Sequence, residues 1–265
     1  MSRKLIGLSL FLLLSVGRAY GFACIRDGSR DCVRWVQGGA TLRSFLGAPA
    51  GHLANGTPSW DQNAIDVAGD WNRVGAAFHF TVNVASGNQF VDPCGTGQGH
   101  TCPNTGPQGD NPIFFAPSQC GVGFGDIVEL VNVCYSSTGA ILNTPVFVNN
   151  NVLWNAYDGP LHSPVNDMRR VLLHELGHVV GLAHPDQNGQ NVVAIMNSHE
   201  SDIDRLQPDD ITGILSLYPS SPSTTGCQLG AAPGGSTHGW PLLIPVMLAS
   251  LRLGLSARAL SSDWG

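Results

Sequence analysis

The stretch that decides the reading is His174-Glu175-Leu176-Gly177-His178-Val179-Val180-Gly181-Leu182-Ala183-His184. His174 and His178 are four residues apart, so on a 3.6-residue period their imidazoles stand about 40° apart on one helix face. Two imidazoles so placed can reach one metal ion at about 2.0–2.1 Å. A glycine at position 181 can take the left-handed backbone that ends a helix and turns the chain back, which brings His184 to the same ion. Three histidines leave the fourth position of a tetrahedral zinc open to water. Glu175 lies beside the ligands without being needed as one, so its carboxylate is free to take a proton from that water. The only glutamates are Glu129, Glu175 and Glu200, and one inside a histidine cluster stands out. At ordinary residue usage H-E-x-x-H arises by chance in roughly one chain per hundred or two; adding Gly181 and His184 lowers that to about one in a hundred thousand. A histidine-rich helix surface without metal is the weaker explanation.

Outward from this stretch, the pattern predicts a helix over Pro164–Leu182, with Ser163 as cap and Pro164 in the first turn. Upstream, Trp60, Ala64, Ile65, Val67, Ala68 and Trp71 form a helical stripe within Ser59–Arg73, capped by Ser59 and followed by Gly75. Downstream, Pro208 opens a helix over Gln207–Leu217, with Asp209 and Asp210 in the first turn where the dipole favours them. Strands are expected at Phe78–Val84, Asp126–Tyr135 and Ile141–Val148, and a long Gly/Pro/Asn loop over Asp92–Pro112, held by a disulfide or an ion.

His174–His184 matches the extended metzincin motif, and Ala194-Ile195-Met196-Asn197 resembles the tight turn whose methionine lies beneath the zinc. The chain is most similar to the matrixins, in their bacterial secreted form. The Trp60/Trp71 helix, Val146-Phe147-Val148-Asn149 before the zinc helix, and Leu206-Gln207-Pro208-Asp209-Asp210-Ile211-Thr212-Gly213-Ile214 carry that narrower likeness, which covers about residues 24–219. The resemblance implies an α+β fold: a twisted mixed sheet with an antiparallel edge strand packed on long helices, and the zinc helix at the cleft. It implies one catalytic Zn2+ on His174, His178 and His184, Glu175 as general base, and Met196 as the turn methionine. Protein or peptide is then the substrate, extended along an edge strand at Thr144, Val146 and Val148 and held by backbone hydrogen bonds.

The departures are specific. Few residues separate the N-terminal leader from the domain, leaving no evident propeptide. Pro93-Cys94-Gly95 looks superficially like a zinc-capping switch, but it lies inside the domain, and Cys94 reads as disulfide-bonded. A second, structural zinc has only His79, His100 and Asp110 to draw on, at the wrong spacing. Calcium is a further candidate, held by Asp92, Asp110, Asp126 or Asp158. His199 and Glu200 fall where the family builds its specificity pocket, yet read as a solvated loop; His52 and His238 carry no signal.

The ends read as separate units. Arg3 and Lys4 precede an apolar run from Leu5 to Val16 and small residues at Ala19, Gly21 and Ala23, a secretory leader over 1–21. After the domain at 22–219 come a Ser/Pro/Gly linker with Cys227 over 220–239 and a short apolar tail over 240–265. The tail resembles a bacterial sorting or anchoring signal, so the enzyme is expected outside the cell, with cell-surface or membrane attachment through this segment. Six of the seven cysteines form sequence-local couples, Cys24/Cys32, Cys94/Cys102 and Cys120/Cys134, although fifteen pairings are open. Such usage points to an oxidising compartment. With 265 residues, 43% hydrophobic and 12% charged, whole-chain disorder is excluded. The net charge of −6 argues against a nucleic-acid partner. A monomer is expected. The competing reading is a catalytically idle zinc-containing surface or adhesion protein, against which the intact Glu175 stands. A thermolysin-like enzyme would take its third ligand from a distant Glu, and Gly181 with His184 disfavours that.

Overall fold

A computed structural model describes residues 22–28, 31–89, 92–94, 102, 111–220 and 258–264, the last as backbone only. The expected leader at 1–21 and the apolar run at 240–251 lie outside the described residues, as do His100 and Asp110. In chain order the elements are β1 (Gly39–Ser44), α1 (Trp60–Asn72), β2 (His79–Val84), β3 (Asn111–Ala116), β4 (Glu129–Tyr135), β5 (Ile141–Asn143), β6 (Val146–Asn149), β7 (Trp154–Asn155), β8 (Asn166–Asp167), α2 (Met168–Val179), α3 (Pro208–Leu217) and β9 (Arg258–Trp264).

The main sheet runs β2-β1-β3-β6-β4, parallel as far as β6 and antiparallel from β6 to β4. It is the α+β arrangement expected, a mixed sheet with an antiparallel strand at its edge. The predicted strand over Ile141–Val148 is instead two, β5 and β6, both pairing with β4. Pro145 stands at the break with no N–H to give the ladder, while its carbonyl accepts from Asn132 N at 3.1 Å.

α1 starts where its sequence says: Ser59 accepts from Gln62 N at 3.0 Å, and Trp60, Ala64, Val67, Ala68 and Trp71 are buried. Trp71 then fixes α1 to the zinc helix by donating from Nε1 to Leu173 O at 3.0 Å. The start of α2 departs from expectation. Ser163 and Pro164 do not open it; Asp167 does, accepting from Arg169 N at 3.1 Å. The reason is a competing ladder. Asn166 and Asp167 pair with Trp154 and Asn155 as β8 on β7, which keeps the chain extended up to the cap.

The cysteines correct the local pairing. Cys24–Cys32 forms as expected, but the other bonds are Cys94–Cys120 and Cys102–Cys134. Cys94 and Cys120 share a small apolar cluster with Phe124, Leu130 and Phe147, and Cys134 is fixed on β4. Sheet geometry thus overrides sequence proximity. Two disulfides hold the long loop, and Cys94 sits in one of them.

β9 was expected in a tail set apart from the domain. It pairs antiparallel with β4 over its whole length, from Glu129↔Trp264 to Tyr135↔Arg258. Since Glu129–Val131 pair with β6 and β9 together, those two strands lie on opposite edges of β4. An outer edge exposes a row of backbone donors and acceptors ready to pair with any extended chain.

Candidate metal centre

α2 carries the first two ligands because its interior is apolar on every turn. From Met168 to Val179 all residues except Arg169 are buried, and His174, Glu175 and His178 are buried with them. The helix then stops at a glycine doing the work of a turn: Gly181 has φ +100°, and a Cβ there would lie 2.5 Å from Val33 O. The orphan carbonyls of the helix end find partners elsewhere. Trp35 Nε1 donates to Val179 O at 2.8 Å and Tyr218 Oη to Val180 O at 2.9 Å. The N-terminal segment straps the same turn: Ile25 N donates to Gly181 O at 2.9 Å, Ala183 N donates to Ala23 O at 3.1 Å, and the Cys24–Cys32 bond closes the strap.

The result is a tight convergence. The Nε2 atoms of His174, His178 and His184 lie 3.0, 3.1 and 3.0 Å from one another. A tetrahedral ion with metal–nitrogen bonds of about 2.05 Å asks for separations of about 3.3 Å, so the three lone pairs fit one zinc. Their tautomers suit it too. His174 Nδ1–H donates to Ile195 O at 2.7 Å and His178 Nδ1–H to Leu182 O at 2.9 Å, leaving both Nε2 atoms as acceptors. Burial first, then the neighbouring imidazoles, hold His174 well below its ordinary pKa and His178 down to about 3, so both stay neutral. Among the described residues this is the one group of three metal-ligating side chains brought together; Asp92, Asp126 and Asp158 join no other.

Met196 packs against the middle of the motif, at Gly177. A Cβ at Gly177 would strike its Sδ, so glycine in the middle of the motif is what makes room for the thioether. The turn is held from α3, where Asp210 accepts from Ile195 N at 3.0 Å, Met196 N at 3.2 Å and Gln207 N at 2.7 Å. Burial pushes the Asp210 carboxyl up to about 6 despite these bonds. Asp186, two residues past His184, accepts from Ser198 N at 3.0 Å and Ser198 Oγ at 2.6 Å, which joins the two segments flanking the turn.

Three carboxylates and one arginine near the site were not singled out for these roles. Asp210 read as a dipole partner, whereas it also anchors the methionine turn. Glu200 is a half-buried loop residue within 4.0 Å of Arg170, and burial raises its carboxyl to about 6. Arg170, fully buried one turn before His174, donates to Ile203 O at 2.9 Å and Gly159 O at 2.5 Å. The i, i+4 spacing from His174 was the available signal. Glu129, the first residue of β4, is fully buried, and burial followed by the charge of Glu175 raises its carboxyl well above the ordinary range. The head of β4 therefore lies within electrostatic reach of the zinc helix.

The expected substrate strand is corrected. Thr144, Val146 and Val148 are fully buried, β6 lies between β3 and β4, and Thr144 N donates to Asn111 Oδ1 at 2.8 Å. No backbone edge is open there. The antiparallel strand beyond β6, packed on α2, is β4, whose outer edge pairs with β9.

A family model described as matrixin matches residues 71–219. Comparison with curated proteins returned no match. Among solved structures, a chain from the GM1-bound form of the ECX AB5 holotoxin aligns at 12% identity and a TM-score of 0.35, covering 74% of this chain and 86% of that one. With the three-histidine zinc site assembled and more than half its length matched, the chain belongs to the matrixin family of zinc metalloendopeptidases.

Proposed function

We propose that this chain is an exported endopeptidase in which Glu175 is the general base and an extended peptide lies along the outer edge of β4. The observation that carries the chemistry is the convergence of the three histidine Nε2 atoms, with Glu175 buried on the helix that supplies two of them. Zinc held there supplies a Lewis acid for the scissile carbonyl and makes a water easier to deprotonate. Glu175 takes the proton of the attacking water and returns it to the leaving amine. The Nδ1–H bonds of His174 and His178 to backbone carbonyls keep the imidazoles aimed and neutral throughout.

Three disulfides support an oxidising destination outside the cytoplasm. The apolar stretch 240–251 with Cys227 upstream supports retention at a surface. That reading is checked by activity in washed cells against culture supernatant: Cys227→Ser should shift it to the medium, and identical partition would remove the sorting role.

Glu175→Gln tests the chemistry. It should keep one zinc and lose at least about two orders of magnitude in turnover, the scale of a general base. Turnover near that of the unaltered chain would take Glu175 out of the mechanism.

A further inference from the structure

The C-terminal strand, which the zinc chemistry does not use, lies on the outer side of β4. β4 is the antiparallel strand packed on α2, and its first residue, Glu129, is fully buried. Its inner edge is filled by β6 and β5. Its outer edge is filled by the chain itself: Arg258–Trp264 runs antiparallel along all seven residues of β4, with Asp263 and Trp264 at the Leu130 and Glu129 end. All seven residues of β4 are buried, as for a strand covered on its margin rather than open to water.

We infer that the C-terminal strand Arg258–Trp264 is a built-in occupant of the substrate edge, holding the enzyme self-covered until that strand is displaced or removed. The inference rests on the proposed peptide path along β4. An extended substrate and β9 need the same backbone donors and acceptors, so binding of one excludes the other. Tethering favours the internal strand, because a segment joined to its own site acts at an effective concentration on the order of millimolar.

The test uses the full chain. Successive N–H groups along a strand point to opposite edges, so of two adjacent residues one donates toward β4. Leu260→Pro with Ser261→Pro therefore removes a ladder bond whichever it is, far from any zinc ligand in sequence. With zinc content equal, kcat/KM for a quenched fluorescent peptide should rise at least about tenfold, mostly through KM. A synthetic peptide of residues 256–265 should inhibit the double-proline variant competitively. Backbone amides of 129–135 should exchange faster in that variant, while Leu260→Val with Ser261→Thr should behave like the unaltered chain. If both forms cleave with equal kcat/KM and the peptide does not inhibit, the self-covering strand is wrong and the proteolytic reading stands. If the double-proline variant holds zinc and cleaves nothing, the proteolytic reading falls and this inference falls with it.

Discussion

At the residue scale, the behaviour of the centre follows from burying three imidazoles against one another. His178, held down to about 3 by burial and by His184, takes no proton in the folded state where an unfolded histidine, near 6.5, takes one. Its folded pKa is depressed, so its contribution to stability is present above 6.5 and is lost as pH falls from there toward 3. His174 shifts in the same direction. The zinc-free protein should therefore show a denaturation midpoint that falls steadily from pH 7.5 to 4.5, and a flat profile would mean the imidazoles are not buried as a group. Gly177 offers a second residue-scale test. Gly177→Ala drives a methyl into Met196 Sδ and to within 3.2 Å of Trp71, and should cost about 1–3 kcal/mol by denaturant titration. Met196→Leu, which conserves volume, should cost less than about 1.5 kcal/mol and keep zinc. Loss of zinc in Met196→Leu would instead make the thioether a ligand.

At the element scale, the centre depends on how α3 holds the methionine turn. Asp210 closes the first turn of α3 and accepts from two amides of the turn, one of them Ile195, whose carbonyl in turn orients His174. Asp210→Ala leaves those buried donors without an acceptor and should cost about 1–3 kcal/mol for each that water cannot reach. Because His174 loses its aim, zinc affinity should fall about ten- to hundredfold. Unchanged affinity in a metal-buffered titration would show that the turn holds itself. The same scale explains what the sequence could tell. The ligands of α2 are an i, i+4 relation and His184 needs only Gly181, so the site is local and readable. The start of α2 is not, because Ser163 and Asp167 are both sound caps. Only the pairing of β8 with β7, between residues twelve apart, selects the second.

At the scale of the molecule, what escaped the sequence is what the sheet assembles. The fold class was legible from the motif and its family, but strand order is a relation among distant segments. Buried strands such as β6 and β4 look alike as apolar runs whatever their place in the sheet, so the pattern at Thr144, Val146 and Val148 does not tell an edge from an interior strand. The disulfides failed for the same reason: Cys134 is delivered to Cys102 by β4, and Cys94 to Cys120 by an apolar cluster, against the preference for near neighbours. The tail strand is a third case, since the sequence Arg258–Trp264 carries no mark of the edge it will meet.

In the proposed mechanism, His174, His178 and His184 hold a zinc that Glu175 turns to peptide hydrolysis. Its most direct test is peptide-library cleavage read by mass spectrometry beside zinc content, on the full chain and on the double-proline variant, so that a covered edge cannot hide activity. One zinc per chain is expected, with cleavage abolished by a chelator and restored by zinc alone. Cleavage that survives complete removal of the metal, or a fully zinc-loaded protein that cuts no peptide in either form, would contradict it.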